Sequence, residues 1–110
     1  MTLQAHDVAL QAVAALGPIV RQVAKHDRSL ADQMRRAASS MVLNIAEARQ
    51  SDAGNARARF HTASGSTSET RAALQLAIAW GYLPAHSPTH ADALLDRVAA
   101  MLWRLLHPRR

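Results

Sequence analysis

Residues 29–49 read SLADQMRRAASSMVLNIAEAR and carry an apolar side chain at every third or fourth position. This apolar row consists of Leu30, Met34, Ala37, Ala38, Met41, Ile45 and Ala48. Such spacing places the apolar side chains on one face of an α-helix, which must then be buried against other helices. The stretch therefore predicts a helix over residues 29–49, with Ser29 as its cap and Asp32 three residues later in a capping-box-like pattern.

Three further segments have the same helical spacing and predict helices over about residues 3–25, 55–80 and 88–107. The first carries Leu3 at the start of its apolar row. Gly81 after Trp80 is a typical C-terminal signal for the third, and Ser87 followed by Pro88 is a typical start for the fourth. Short connections between amphipathic helices predict one all-α domain over residues 1–110, an antiparallel, up-down-up-down four-helix bundle.

The third segment leaves two readings open. Residues 62–68, TASGSTS, have the composition of a flexible linker. The same residues also continue the helical spacing, because small side chains in a helix let a neighbouring backbone approach closely.

Composition limits the classes of protein to consider. Hydrophobic residues make up 49% of the 110 residues but aromatic residues only 4%, so the apolar mass is mostly Ala, Leu and Val, as in closely packed helices. The absence of cysteine excludes disulfide scaffolds and thiolate zinc sites. No basic leader and no apolar run of about 20 residues is visible, so we expect a cytoplasmic protein.

Several motifs resemble one known family. They are QMRRAASS at 33–40, NIAE at 44–47, ASGS at 63–66 with Glu69, Leu74, Leu76 and Ala77, and GYL at 81–83. Together they are similar to the small four-helix-bundle proteins whose first members were found in intervening sequences of 23S ribosomal RNA genes. The resemblance covers nearly the whole chain, more loosely in the first segment, around Asp7, Val8 and Ala12.

This resemblance implies a left-handed four-helix bundle in which residues 61–68 are helical. Relatives of this fold form homopentamers, and one related branch, the accessory proteins of diversity-generating retroelements, binds a reverse transcriptase and nucleic acid. No activity is established for most members. The sequence departs from the family pattern at Val42, Leu43 and Ala48, which puts the end of the second helix in doubt.

The predicted helices carry more apolar surface than one bundle needs. On the fourth, Trp103 lies roughly 140° from the centre of the core-facing row, and on the second, Leu43 points away from that row. We therefore predict a homo-oligomer whose subunit interface uses Leu43, Trp103, Leu106 and Trp80. The alternative is that isolated apolar side chains are simply exposed, which is normal.

Polar residues form a second row beside the apolar row of the second helix. Arg36, Asn44 and Glu47 belong to it, and Glu69 lies on the small-residue side of the third helix. Buried charges require partners. The sequence therefore predicts a structural network of Arg36, Asn44, Glu47 and Glu69, formed where Gly65 lets the two helices approach.

Enzyme chemistry finds little support in these residues. A di-iron bundle needs Glu-x-x-His on paired helices, whereas Glu47 is followed by Gln50 and Glu69 by Ala72. The six histidines are scattered, and no catalytic triad, phosphate loop or dinucleotide motif is present. We predict no catalytic residue, no metal and no cofactor, and retain a metal-dependent bundle enzyme only as a remote alternative.

The formal net charge of +5 favours polyanionic partners. Arg35, Arg49, Arg57 and Arg59 are predicted near the junction of the second and third helices, and Arg104, Arg109 and Arg110 near the C-terminus. Two hypotheses follow. The chain is an oligomeric adaptor that binds RNA or DNA through shape and charge, or a scaffold that binds a partner protein only. The lack of aromatic residues interleaved with the arginines argues against sequence-specific RNA recognition.

Overall fold

The computed structural model describes residues 4–109, which form four helices and no strand. The helices are α1 (Gln4–Ala24), α2 (Arg28–Arg49), α3 (Ala53–Ala79) and α4 (Thr89–Leu106). The all-α prediction is confirmed. Leu3 and Arg110, which the sequence placed in the first apolar row and the C-terminal basic group, lie outside the described residues.

One core joins the four helices. Each contributes fully buried side chains, among them Leu16, Met41, Leu74 and Leu102. α1 and α3 each pack against both α2 and α4. The N-terminal part of α3 meets the end of α4, because Arg57 Nη1 donates a hydrogen bond of 2.7 Å to the backbone carbonyl of Leu106.

The helix starts differ from the sequence prediction. α2 is capped by Asp27 rather than by Ser29, because Asp27 Oδ1 accepts a hydrogen bond of 3.0 Å from the Leu30 N–H. Ser29 is exposed within the first turn. At α4, residues 84–89 form a turn before the helix, so that Pro88 is the cap residue and makes no side-chain capping bond.

The end of α3 is as predicted. Gly81 has φ of +81°, a conformation that residues with a Cβ rarely adopt. The N–H of Gly81 bonds to the carbonyl of Ile78, and the N–H of Tyr82 bonds to that of Ala77, both at 2.9 Å. This pair of hydrogen bonds is the Schellman motif, which satisfies carbonyl groups that the helix end would otherwise leave free.

Residues 61–68 belong to α3, so the helical reading is confirmed and the linker reading is wrong. The small residues continue the helix here and take part in its packing. Thr67 and Thr70 are buried, and their hydroxyls donate hydrogen bonds of 2.8 Å to the carbonyls of Ala63 and Ser66, four residues earlier in each case. Each hydroxyl thus has the hydrogen-bond partner that a buried polar group requires.

Candidate interaction surfaces

The solvent-facing side of α3 carries an uninterrupted row of exposed residues at alternating spacings of four and three. This α3 outer row consists of Ala58, Thr62, Gly65, Glu69, Ala72, Leu76 and Ala79. The spacing is that of the contact positions in a coiled coil. Glu69 is the one charged residue in the row. An exposed helix face normally carries many more charges, so α3 has two sides suited to packing.

Three of the four residues predicted for a subunit interface are exposed. Leu43, Trp80 and Trp103 expose 62%, 65% and 60% of their surface. Leu106 is a correction, because it exposes only 5% and belongs to the core of the single chain. Leu106 follows the buried Val98 and Leu102 at four-residue spacing, so it continues the core-facing row of α4.

The predicted polar network does not form within one chain. Arg36, Glu47 and Glu69 are exposed, and within residues 4–109 none of the three makes an ion pair. Of the four, Asn44 alone takes part in a side-chain contact, because its Nδ2 donates to the carbonyl and the hydroxyl of Ser40 at 2.9 and 3.1 Å.

Two side-chain hydrogen bonds join α2 to α3, and the shorter one links two serines. Ser66 Oγ and Ser40 Oγ are 2.8 Å apart, and Arg59 Nη1 reaches Asn44 Oδ1 at 3.5 Å. The four side chains form a chain of contacts along the α2–α3 groove. The sequence signal for the serine pair was their small size at inward-facing positions, which brings two helices close together.

The close-packing role predicted for Gly65 is not found within the chain. A Cβ added at Gly65 would have no neighbour within 4 Å, and the residue is exposed in the α3 outer row. Ser66, one position further on, faces α2 instead. A rotation of about 100° per residue is enough to move the expected contact to the next side chain.

The four arginines predicted near the α2–α3 junction do not lie together. Arg49, Arg57 and Arg59 flank the junction and are exposed. Arg35 is a correction, because it lies four turns earlier on α2, about 21 Å along the axis from Arg49. There it forms an exposed ion pair with Asp32 at 3.0 Å.

An ion pair that the sequence did not reveal joins α3 and α4. Arg71 contacts both carboxylate oxygens of Asp92, at 2.9 and 3.2 Å, and Asp96 at 3.1 Å. The hydrogen bond to Asp92 raises the pKa of Arg71 above its ordinary value. These residues border an open cleft of about 520 Å³ whose walls also include Leu74 and Ile78. The single arginine balances only one of the two carboxylates, so the three side chains together carry one negative charge beside the cleft.

A second unexpected contact joins the two loops at the other end of the molecule from Arg57. Tyr82 Oη donates to Asp27 Oδ2 at 3.2 Å, and the Tyr82 ring stacks on His26 with centroids 5.2 Å apart. Partial burial, followed by the bond to Asp27, raises the pKa of Tyr82 above its usual 10.0. Asp27 thus caps α2 and anchors the α3–α4 loop with its two oxygens.

Among residues 4–109, no three His, Asp or Glu side chains come together in a group that could hold a metal ion. None of the helices that the structure describes has the length and hydropathy to cross a membrane.

Comparison with known proteins identifies the family. The family model for the 23S rRNA-intervening sequence protein matches residues 2–104. The chain belongs to this family. The resemblance read from the 33–40 and 44–47 motifs is thereby confirmed. No curated protein matches the chain.

A solved structure shares the fold of this family member. It is the crystal structure of a protein of unknown function from the S23 ribosomal protein family of Bacteroides thetaiotaomicron, 19% identical in sequence. The match covers 93% of this chain and 97% of that one, with a TM-score of 0.83. At this identity the likeness shows the fold alone.

Proposed function

We propose that this family member is a non-enzymatic, homo-oligomeric scaffold or adaptor of the cytoplasm, built from antiparallel, left-handed four-helix bundles. In this proposal the functional unit is the assembly, and its surfaces meet a nucleic acid. The antiparallel direction is supported by the contact between the start of α3 and the end of α4, and by the short loop between them.

The α3 outer row is the observation that carries the proposal. A row of small and apolar residues at coiled-coil spacing packs well against another helix, yet each of its members is exposed in the single chain. Fully burying a side chain such as Leu76 contributes about 1.5–3 kcal/mol. Trp80, one position beyond the row, and Leu43 on α2 extend the apolar surface at its two ends.

The unpaired charges favour a ring of copies over a two-fold dimer. Glu69 lies in the middle of the α3 outer row, so a two-fold contact centred on that row would bring two like charges together. Arg36 is exposed and lies one turn of α2 before Ser40, the residue that bonds to α3, so it belongs to the same side of the helix. A contact between α2 of one copy and α3 of the next pairs Arg36 with Glu69 and closes into a ring. Five copies, as the family resemblance implies, is the number we propose.

Nucleic-acid binding through charge is the second part of the proposal. The net charge of +5 and the exposed Arg49, Arg57 and Arg59 support it, since repetition around a ring multiplies weak phosphate contacts. The competing function is a scaffold for a partner protein alone. The exposed apolar surface favours that reading equally, so a binding experiment has to separate the two.

The subunit contact is tested with a matched pair of leucines. Leu76 and Leu10 expose 46% and 47% of their surface, but Leu10 lies on α1, away from the proposed contact. Leu76→Glu is expected to convert the assembly to smaller species in sedimentation velocity. Leu10→Glu is expected to leave it intact. Equal behaviour of the two variants would contradict a contact through α3.

The binding half is tested by a salt series with generic RNA and DNA. The adaptor hypothesis predicts retardation at low salt that weakens steeply as salt is added, because counterions are released from the phosphates. The protein-only scaffold predicts no retardation even at low salt.

A further inference from the structure

Two segments without any carboxylate meet at one corner of the molecule. Residues 53–68 and residues 97–109 contain no Asp or Glu, although the chain has 8 such residues. The Arg57 bond to the Leu106 carbonyl joins the two segments. We call them together the basic corner. Its cationic side chains are Arg57, Arg59, Arg97, Arg104 and Arg109, and it also holds His61 and His107.

The nearest carboxylates in the chain do not neutralise this corner. The carboxylates that border the two segments in sequence are Asp52, Glu69 and Asp96, and Asp96 is paired with Arg71. Asp52 caps the start of α3, and its two oxygens accept hydrogen bonds from the backbone N–H and the side-chain amide of Asn55. Within the described residues, none of the arginines of the basic corner forms an ion pair. The corner therefore presents a local excess of positive charge.

An exposed aromatic side chain lies in the α4 part of the basic corner, next to Arg104 in sequence. Trp103 is in the last turn of α4 and exposes 60% of its surface. The His107 ring stacks against it, with centroids 4.3 Å apart and planes 19° apart, and His107 Nδ1 lies 2.9 Å from the Trp103 carbonyl oxygen. The stack fixes the orientation of the indole and leaves much of its surface open.

We infer that Trp103 and His107, flanked by the arginines of the basic corner, bind a single-stranded nucleic acid by stacking on its bases. This inference rests on the proposed nucleic-acid binding and gives it a site and a ligand class. Single strands offer unpaired bases, and each base has a flat face that an indole can cover. Arginines beside the ring contact the phosphates between stacked bases, and the combination requires no particular base sequence.

A duplex and a subunit contact fit the same residues less well. Bases inside a duplex are stacked on each other and cannot reach an exposed tryptophan. A two-fold contact through this corner would bring five further arginines against those already present, and the repulsion opposes it. The ring contact proposed above runs through α2 and α3 rather than through α4. The structure thus assigns Trp103 to ligand binding rather than to the interface that the sequence predicted.

The test measures the intrinsic fluorescence of Trp103 alone. In the Trp80→Phe variant, Trp103 is the sole tryptophan, so its emission reports the site alone. Titration with oligo(dT) of about 20 nucleotides is expected to quench this emission at low salt. In the full chain, Trp103→Ala is expected to weaken oligo(dT) binding about tenfold and Trp103→Phe by less. Neither change should alter binding of inorganic polyphosphate by more than about twofold.

Leu10→Ala is the control, because Leu10 is also exposed but lies on α1, in neither the proposed subunit contact nor the basic corner. It should leave oligo(dT) affinity within about twofold. Equal losses for oligo(dT) and polyphosphate in Trp103→Ala, or dissociation of the assembly by that change, would overturn the stacking site. Salt-sensitive binding that ignores Trp103 would overturn it while leaving the proposed function in place. No binding of any polyanion would overturn both.

Discussion

At the scale of single residues, the stability of the fold depends on a few positions with a special backbone conformation or a specific hydrogen bond. Gly81 is held in the left-handed region, where an L side chain costs about 1–2 kcal/mol. We expect Gly81→Ala to lower the free energy of unfolding by about 1 kcal/mol in urea denaturation. Gly81→Asn should lose less, because asparagine tolerates this conformation. Equal losses for the two variants would contradict this account of the helix end.

The Ser40–Ser66 hydrogen bond is a second such position. Removing one partner of a buried or half-buried hydrogen bond costs about 0.5–1.5 kcal/mol, but serine to alanine in a helix also improves helix propensity. The exposed Ser68 on the same helix isolates the propensity effect. Ser66→Ala is expected to be about 1 kcal/mol less stable than Ser68→Ala. If the two variants unfold alike, the serine pair does not hold α2 against α3.

Ionisation of Tyr82 is expected to lower the stability of the fold at alkaline pH. Its pKa is raised in the folded protein, so the folded state holds the phenolic proton more tightly than the unfolded chain. This contribution is complete below the usual pKa of 10.0 and is lost as the pH rises through the raised value. Unfolding measured from about pH 8 to about pH 11 should show a decline that Tyr82→Phe reduces. Because the chain has a single tyrosine, absorbance titration reads this pKa directly.

At the scale of helices, the periodic spacing of apolar residues predicted the position and buried face of α2. The polar residues between helices did not predict its cap. The apolar spacing of 29–49 located α2 to within one residue at its start and identified its buried face. The capping residue was misplaced because Asp27 and Ser29 both suit an N-cap, and a tertiary contact, the bond from Tyr82, accompanies the choice of Asp27. A contact between residues 55 positions apart leaves no trace in local sequence.

Helix α3 shows where composition misleads. Residues 61–68 suggest a linker because Ser, Thr and Gly favour turns in isolation. In the fold, Thr67 and Thr70 are buried and bonded, so packing overrides propensity. We expect their backbone amides to exchange with solvent as slowly as those of Leu74 and Ala77 in hydrogen–deuterium exchange. Exchange as fast as in the loop at residues 25–27 would show that the segment is not a stable helix.

The sequence predicted the exposure of several candidate site residues but not their partners. Exposure of Leu43, Trp80 and Trp103 followed from helical spacing, which places each away from the core row. The charged network did not follow, because spacing gives the direction of a side chain but not its partner. Arg71 shows this limit, since its pairing with Asp92 and Asp96 depends on the distance between α3 and α4.

At the scale of the whole molecule, the chain exposes more surface than is typical of a folded monomer of its mass. It exposes 6661 Å², whereas a folded monomer of 11.9 kDa typically exposes about 5,900 Å². The elongated form, 45 × 22 × 19 Å, accounts for part of the excess. An elongated bundle whose longest helix carries a row with a single charged residue presents a long, narrow contact surface, which suits side-by-side packing of copies.

In the proposed function, the basic corner and the α3 outer row serve two different tasks. The row is nearly free of charge and suits a second copy, whereas the corner is free of carboxylates and suits a polyanion. In a ring, each copy would contribute one corner, so that a single strand could contact several copies in turn. Ligand binding and assembly are therefore expected to support each other, with affinity for long strands exceeding that for short ones.

Association of the unmodified chain is the claim on which this account rests, and the molar mass in solution tests it most directly. Light scattering on a gel-filtration column should give five times 11.9 kDa, about 60 kDa, with a mass that holds as the protein is diluted into the low micromolar range. A uniform species of 11.9 kDa at every concentration would contradict it, because the α3 outer row would then be exposed in the working protein.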